Sequence, residues 1–98
     1  PMAAAALAKS GRYDAIVGIG AVLRGATYHF EVIANQSAAG LARVAHDTGV
    51  VVTNGIITVD TMEQALDRAG GKAGNKGAEA AVAAVETVTA LRAALAEA

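Results

Sequence analysis

A histidine can give or take a proton near neutral pH with only small changes in its surroundings. Of the two histidines in this 98-residue chain, His29 stands where that ability could be used. An apolar run over residues 16–23, long enough for one buried strand, empties into Arg24-Gly25-Ala26-Thr27. There the side chains shrink and a backbone can approach a ligand closely. Thr27 offers an N-cap hydroxyl, and Tyr28-His29-Phe30 opens a helical pattern. Strand, tight glycine loop and helix start are the arrangement by which open α/β sheets hold anions, because loop amides and the positive helix end converge. His29 lies within a turn of that point, which suggests proton transfer beside a bound anion; the plain alternative is a surface or capping histidine.

Other polar residues carry weaker signals. Arg68 closes a short helical pattern, where it can balance the helix dipole or hold an anion in bidentate geometry. Lys76 and Glu79, three residues apart at a helix start, form either an ordinary ion pair or part of a site. Asn54 interrupts an apolar strand, so its amide is satisfied in the core or touches a ligand at the strand's carboxyl end. His46 reads as solvated surface. Gly18-Ile19-Gly20 lacks the third glycine of a dinucleotide fingerprint, and close helix-to-strand packing explains it better. The lysines near residues 71–77 are not followed by Ser or Thr, so no phosphate loop of the P-loop type is present. Two histidines without a carboxylate at ligand spacing make no metal site, and there is no cysteine for a thiolate one.

Elements that could position these residues follow in order. Residues 1–9 read as a helix with Pro1 in its first turn, stopped by Ser10-Gly11, and residues 14–23 as a strand. A helix with Phe30, Ile33, Ala34, Ala38, Leu41, Val44 and Ala45 on its apolar face runs to Gly49. Residues 50–57 form a second strand, and residues 62–69 a helix opened by a Thr61–Gln64 capping box. Residues 70–75 read as a loop, and residues 76–96 as a long alanine-rich helix. Strands apolar on both faces imply a parallel sheet covered on each side, with one right-handed βαβ unit at its centre. Length allows one small domain. Apolar residues make up 54% of the chain but aromatics only 3%, so alanine dominates and the core is thin; a partner surface is expected. A net charge of −1 without a basic patch argues against nucleic-acid binding. No apolar stretch reaches membrane-spanning length, and Pro1-Met2-Ala3 has no basic signal-peptide start, so a cytoplasmic soluble protein is expected.

Four ordered motifs resemble the lumazine synthase family: Arg24-Gly25-Ala26-Thr27-x-His29-Phe30, Asn54-Gly55-Ile56-Ile57-Thr58, Glu63-Gln64-Ala65-x-x-Arg68-Ala69-Gly70 and Gly74-Asn75-Lys76-Gly77-x-Glu79-Ala80-Ala81. The resemblance implies a flavodoxin-like three-layer α/β/α fold with a parallel sheet, assembled as pentamers or sixty-subunit shells with shared sites. It implies a transferase that condenses 5-amino-6-ribitylaminouracil with 3,4-dihydroxy-2-butanone 4-phosphate to 6,7-dimethyl-8-ribityllumazine, the precursor of riboflavin, with no cofactor. By the same resemblance Gly25, Ala26 and Thr27 cradle the phosphate, helped by Arg68 of a neighbouring subunit. The backbone of Ala21, Val22 and Leu23 borders the pyrimidine and ribityl chain, and Asn54 meets the ribityl side across the subunit boundary. Lys76 and Glu79 support the site, and His29 shuttles protons. The chain matches the C-terminal two-thirds of a family member; the family's first two strands, first helix and ring-stacking aromatic lie before the position of Pro1. From this follows the expectation that residues 1–98 alone form no stable monomer and need the preceding segment, attached or as a separate N-terminal polypeptide. Retention of His29, Arg68 and the phosphate loop favours the enzyme. A non-catalytic assembly module and a lumazine- or flavin-binding fragment are the alternatives that the missing aromatic keeps open.

Overall fold

A computed structural model describes residues 1–96. Helix α1 (Met2–Lys9) leads to strand β1 (Ala15–Leu23), helix α2 (His29–Thr48) and strand β2 (Val51–Val59). Helix α3 (Met62–Arg68), the short strands β3 (Ala69–Gly71) and β4 (Gly74–Asn75), and helix α4 (Lys76–Ala96) follow. Strands β1 and β2 pair in parallel, with Ala15 opposite Val51 and Leu23 opposite Val59. The side-chain alternation of a strand then sends two residue sets to opposite faces. On one face Ile16 and Val52 pack with Ala4 and Ala8 of α1 and Leu41 and Val44 of α2. On the other, the Thr53 hydroxyl donates to the Ala80 carbonyl of α4 at 2.8 Å. These are the expected three layers around a parallel sheet, and no helix among the described residues is long and apolar enough to cross a membrane.

The glycines of β1 serve packing. A Cβ on Gly18 would stand 2.7 Å from Leu41 Cδ1, so its absence lets α2 lie close to the strand. Helix α2 ends as its sequence dictates: Gly49 adopts φ +72° and its amide donates to the Ala45 carbonyl at 2.9 Å. Helix α3 is opened by Thr61, whose hydroxyl accepts from the Gln64 amide at 3.1 Å. The reciprocal bond involves one residue earlier than in the usual box: the Asp60 amide donates to Gln64 Oε1 at 2.7 Å.

Three expectations need correction. Residues 70–75 are not a plain loop: β3 and β4 pair antiparallel, with Gly70 and Gly74 at φ +114° and +89° supplying the turn that side chains would resist. Thr27 does not cap α2. The N-cap is Tyr28, without a side-chain cap bond, and Thr27 offers only its carbonyl, 3.4 Å from the Phe30 amide. The inward stripe of α2 is rotated from the apolar pattern: Phe30, Leu41 and Val44 are buried, whereas Ile33 and Ala38 are exposed. A helix buries the side that its neighbours cover, and only one side of α2 meets the sheet and α1.

The core is as thin as the composition implies. Half of the buried apolar residues are alanines: Ala4, Ala8, Ala65, Ala80 and Ala84, against Ile16, Phe30, Leu41, Val44 and Val59. Helix α4 buries only Ala80 and Ala84, and Val85, Leu91 and Leu95 face outward.

Candidate active site

At the carboxyl end of β1 the chain turns out of the sheet. The Arg24 amide makes the last tie, to the Val59 carbonyl at 2.8 Å. The amides of Gly25, Ala26, Thr27 and Tyr28 then engage in no hydrogen bond among the described residues. They sit at the N-terminus of the 20-residue α2, whose first helical residue is His29. Unpaired amides at a helix start carry partial positive charge and favour an anion. The imidazole of His29 is exposed and accepts or donates no hydrogen bond among the described residues, so it is open to a ligand at the same loop. Ala21 and Leu23 are exposed and Val22 half-buried along the strand leading there.

Residue type alone does not single out Arg24, yet it organises this end. Its Nε donates to Asp60 Oδ1 at 2.7 Å and one terminal nitrogen to Glu31 Oε1 at 3.0 Å. The guanidinium lies over the Phe30 ring, 4.5 Å from its centroid. The hydrogen bonds to Asp60 and then Glu31 hold its pKa above the ordinary arginine value. The signal was available in the register: Leu23 faces Val59, so their successors Arg24 and Asp60 must be neighbours.

Arg68 occupies a different place. It is half-buried, its NH1 donates to the Gln64 carbonyl at 3.1 Å, and it borders a cleft of about 100 Å³ with Ile19, Gly20, Gly55, Asn75 and Gly77. The cleft is lined along β1 and β2 by Ile19, Gly20, Gly55 and Ile57, and residues 25–28 do not line it. Lys76 and Glu79 form the i,i+3 ion pair at 3.4 Å, beside the cleft at the start of α4. Asn75, which the sequence placed in a loop, caps that helix by accepting from the Ala78 amide at 2.9 Å. Asn54 is neither a core amide nor near His29: it is exposed, and its Oδ1 accepts from the Ile56 amide at 2.8 Å. The described residues contain no group of acidic, histidine or cysteine side chains able to hold a metal.

The chain thus carries two separate polar stations, an amide loop with a histidine at the end of β1 and an arginine-edged cleft under α4. Residues 1–92 match the family model of 6,7-dimethyl-8-ribityllumazine synthase. That match spans nearly the whole sequence and contains both stations, and the chain belongs to this family of riboflavin-biosynthesis transferases, whose members are oligomers acting on small molecules.

Proposed function

We propose that the chain condenses 5-amino-6-ribitylaminouracil with 3,4-dihydroxy-2-butanone 4-phosphate to form 6,7-dimethyl-8-ribityllumazine. The observation that carries this reading is the run of four unengaged amides at residues 25–28, at the head of α2, with His29 first in the helix. Such a loop suits a phosphate monoester, and a neighbouring imidazole suits a reaction made of proton transfers. The amine of the pyrimidine attacks the ketone, water leaves, phosphate departs, and the ring closes with loss of a second water. His29 takes and returns protons along that sequence. Phosphate is a good leaving group, so holding the two substrates in register supplies much of the acceleration.

The separation of Arg68 from the loop supports a site shared between subunits, in which Arg68 of one copy reaches the loop of the next and Asn54 meets the ribityl chain from the same side. The same reading makes the assembly a pentamer or a shell of pentamers. It gives Ala21, Val22 and Leu23 the pyrimidine edge, and Lys76 and Glu79 a supporting role beside Arg68. The test is direct: the assembled protein, given both substrates, yields lumazine and one inorganic phosphate per turnover, measured by chromatography and a phosphate assay. Phosphate release without lumazine, or no product above the uncatalysed rate, refutes it.

A further inference from the structure

Arg24 makes more contacts than an exposed arginine needs. Its backbone leaves β1, its side chain reaches Glu31 across the loop and Asp60 after β2, and its guanidinium carbon lies over the buried ring of Phe30. Residues 24 and 31 are the two ends of the segment that holds the free amides and His29. We infer that Arg24 is a positioning residue that closes this loop, tying its ends to each other and to the start of α3. The inference rests on the function proposed above, since it assigns the loop to phosphate.

Two alternatives are weaker on chemistry. Arg24 as a direct phosphate ligand must share its donors with two carboxylates, and the trio carries a net negative charge. Arg24 as a contributor to global stability is disfavoured because its side chain is 49% exposed and exposed ion pairs contribute little. What two hydrogen bonds and a cation–ring contact do supply is a fixed geometry for the backbone between their ends. Amides held in place before an anion arrives bind it without first being ordered.

Glu31→Gln separates these readings. Removing a negative charge near an anion site should by itself tighten anion binding; removing a strut of the clamp should weaken it. With the full assembled protein, Arg24→Gln and Glu31→Gln are each expected to raise the Kd for inorganic phosphate about tenfold by calorimetry. The double variant should be no worse than Arg24→Gln alone, because both remove the same contact. Amide exchange over residues 25–32 should quicken about tenfold in either variant while peptides of α4 stay unchanged. In turnover, KM for the phosphate substrate rises and KM for the pyrimidine does not, whereas a generally loosened fold lowers kcat through the active fraction and moves neither. Unchanged or tighter phosphate binding by Glu31→Gln, or exchange over residues 25–32 equal to the parent's in both variants, overturns the inference. If the parent makes no lumazine, the proposed function fails by itself, and the exchange contrast still decides the clamp.

Discussion

Gly55 lies where β1, β2 and α4 meet, and replacing it with alanine gives a prediction of definite sign. A Cβ there would stand 2.9 Å from Ile19 Cδ1, 3.1 Å from the Gly18 carbonyl oxygen and 3.2 Å from Ala80 Cβ. Ile19 is 65% exposed, so its terminal methyl can rotate away. The other two atoms cannot, because one is strand backbone and the other is fixed directly to the backbone of α4. Relief therefore requires α4 to lift by a few tenths of an ångström, stretching the Thr53–Ala80 hydrogen bond. Overpacking of this kind costs about 1–3 kcal/mol. The entropy that alanine removes from the unfolded chain returns about 0.4–1 kcal/mol. The difference is a loss of about 0–2.6 kcal/mol, centred a little above 1 kcal/mol, and at roughly 4–8 °C per kcal/mol for a domain of this size Tm falls by several degrees. Adding Ile19→Val should recover little of it, because that methyl is not the obstacle. Calorimetry at fixed subunit concentration measures the change without confusing it with assembly. If Gly55→Ala melts at or above the parent temperature, the helix does not lie on the sheet as closely as described, and the reasoning is wrong.

Other substitutions address the two stations and their supports. His29→Ala should slow lumazine formation by about 10²–10⁴-fold and leave phosphate affinity near the parent value; an unchanged rate across neutral pH returns His29 to a surface role. Arg68→Ala should weaken phosphate-substrate binding by about 1.5–3 kcal/mol while Tm barely moves, since its one hydrogen bond goes to its own helix; equal affinity by calorimetry contradicts the shared site. Thr61→Ala should cost about 1 kcal/mol through the lost cap of α3, read by denaturant unfolding. The Arg24 pKa is raised by Asp60 and Glu31, so its contribution is fully present below the unfolded-state value and fades only as pH climbs through the folded one. Amide exchange over residues 25–32, corrected for its intrinsic pH dependence, should therefore show the same protection at neutral pH and at about pH 9.

Much of this architecture was legible because it depends on local chemistry. The apolar run into Arg24-Gly25-Ala26-Thr27 marks the end of β1, Gly49 the end of α2, and Thr61 with Gln64 the start of α3, each through a backbone requirement that neighbours satisfy. What escaped depends on contacts distant in sequence. Thr27 looked like a cap because it is a hydroxyl before a helix, but the helix begins at His29 and its cap position falls on Tyr28. Ile33 and Ala38 looked inward by periodicity, yet the sheet and α1 cover a neighbouring strip of α2. Arg24 reads as one polar residue among others until β1 is aligned with β2; only then does Asp60 become its partner. The motifs around Arg68 and Asn54 do not show where those residues lie relative to His29, because the sheet register sets that.

The exposed surface of the chain fits the shared site proposed above. A compact monomer of this mass exposes about 5,100 Å², whereas the chain exposes 6460 Å². Its radius of gyration is 14.9 Å, against about 12.6 Å for a compact domain of this length. Large apolar side chains contribute to it: Ile19, Met62, Leu66, Val85 and Leu95 all face outward, four of them on α3 and α4, the helices that carry or flank Arg68 and its cleft. Water-exposed leucine and valine in that number mark a surface meant to be covered. On the shared-site reading proposed above, a neighbouring copy covers part of this surface and its loop meets Arg68 there. On that reading a single interface serves both burial and catalysis. A substitution that weakens it, such as Leu66→Glu on the exposed side of α3, should lower turnover and assembly size together in sedimentation and activity assays. Full activity in particles reduced to single subunits would show that the arginine and the loop work within one chain after all.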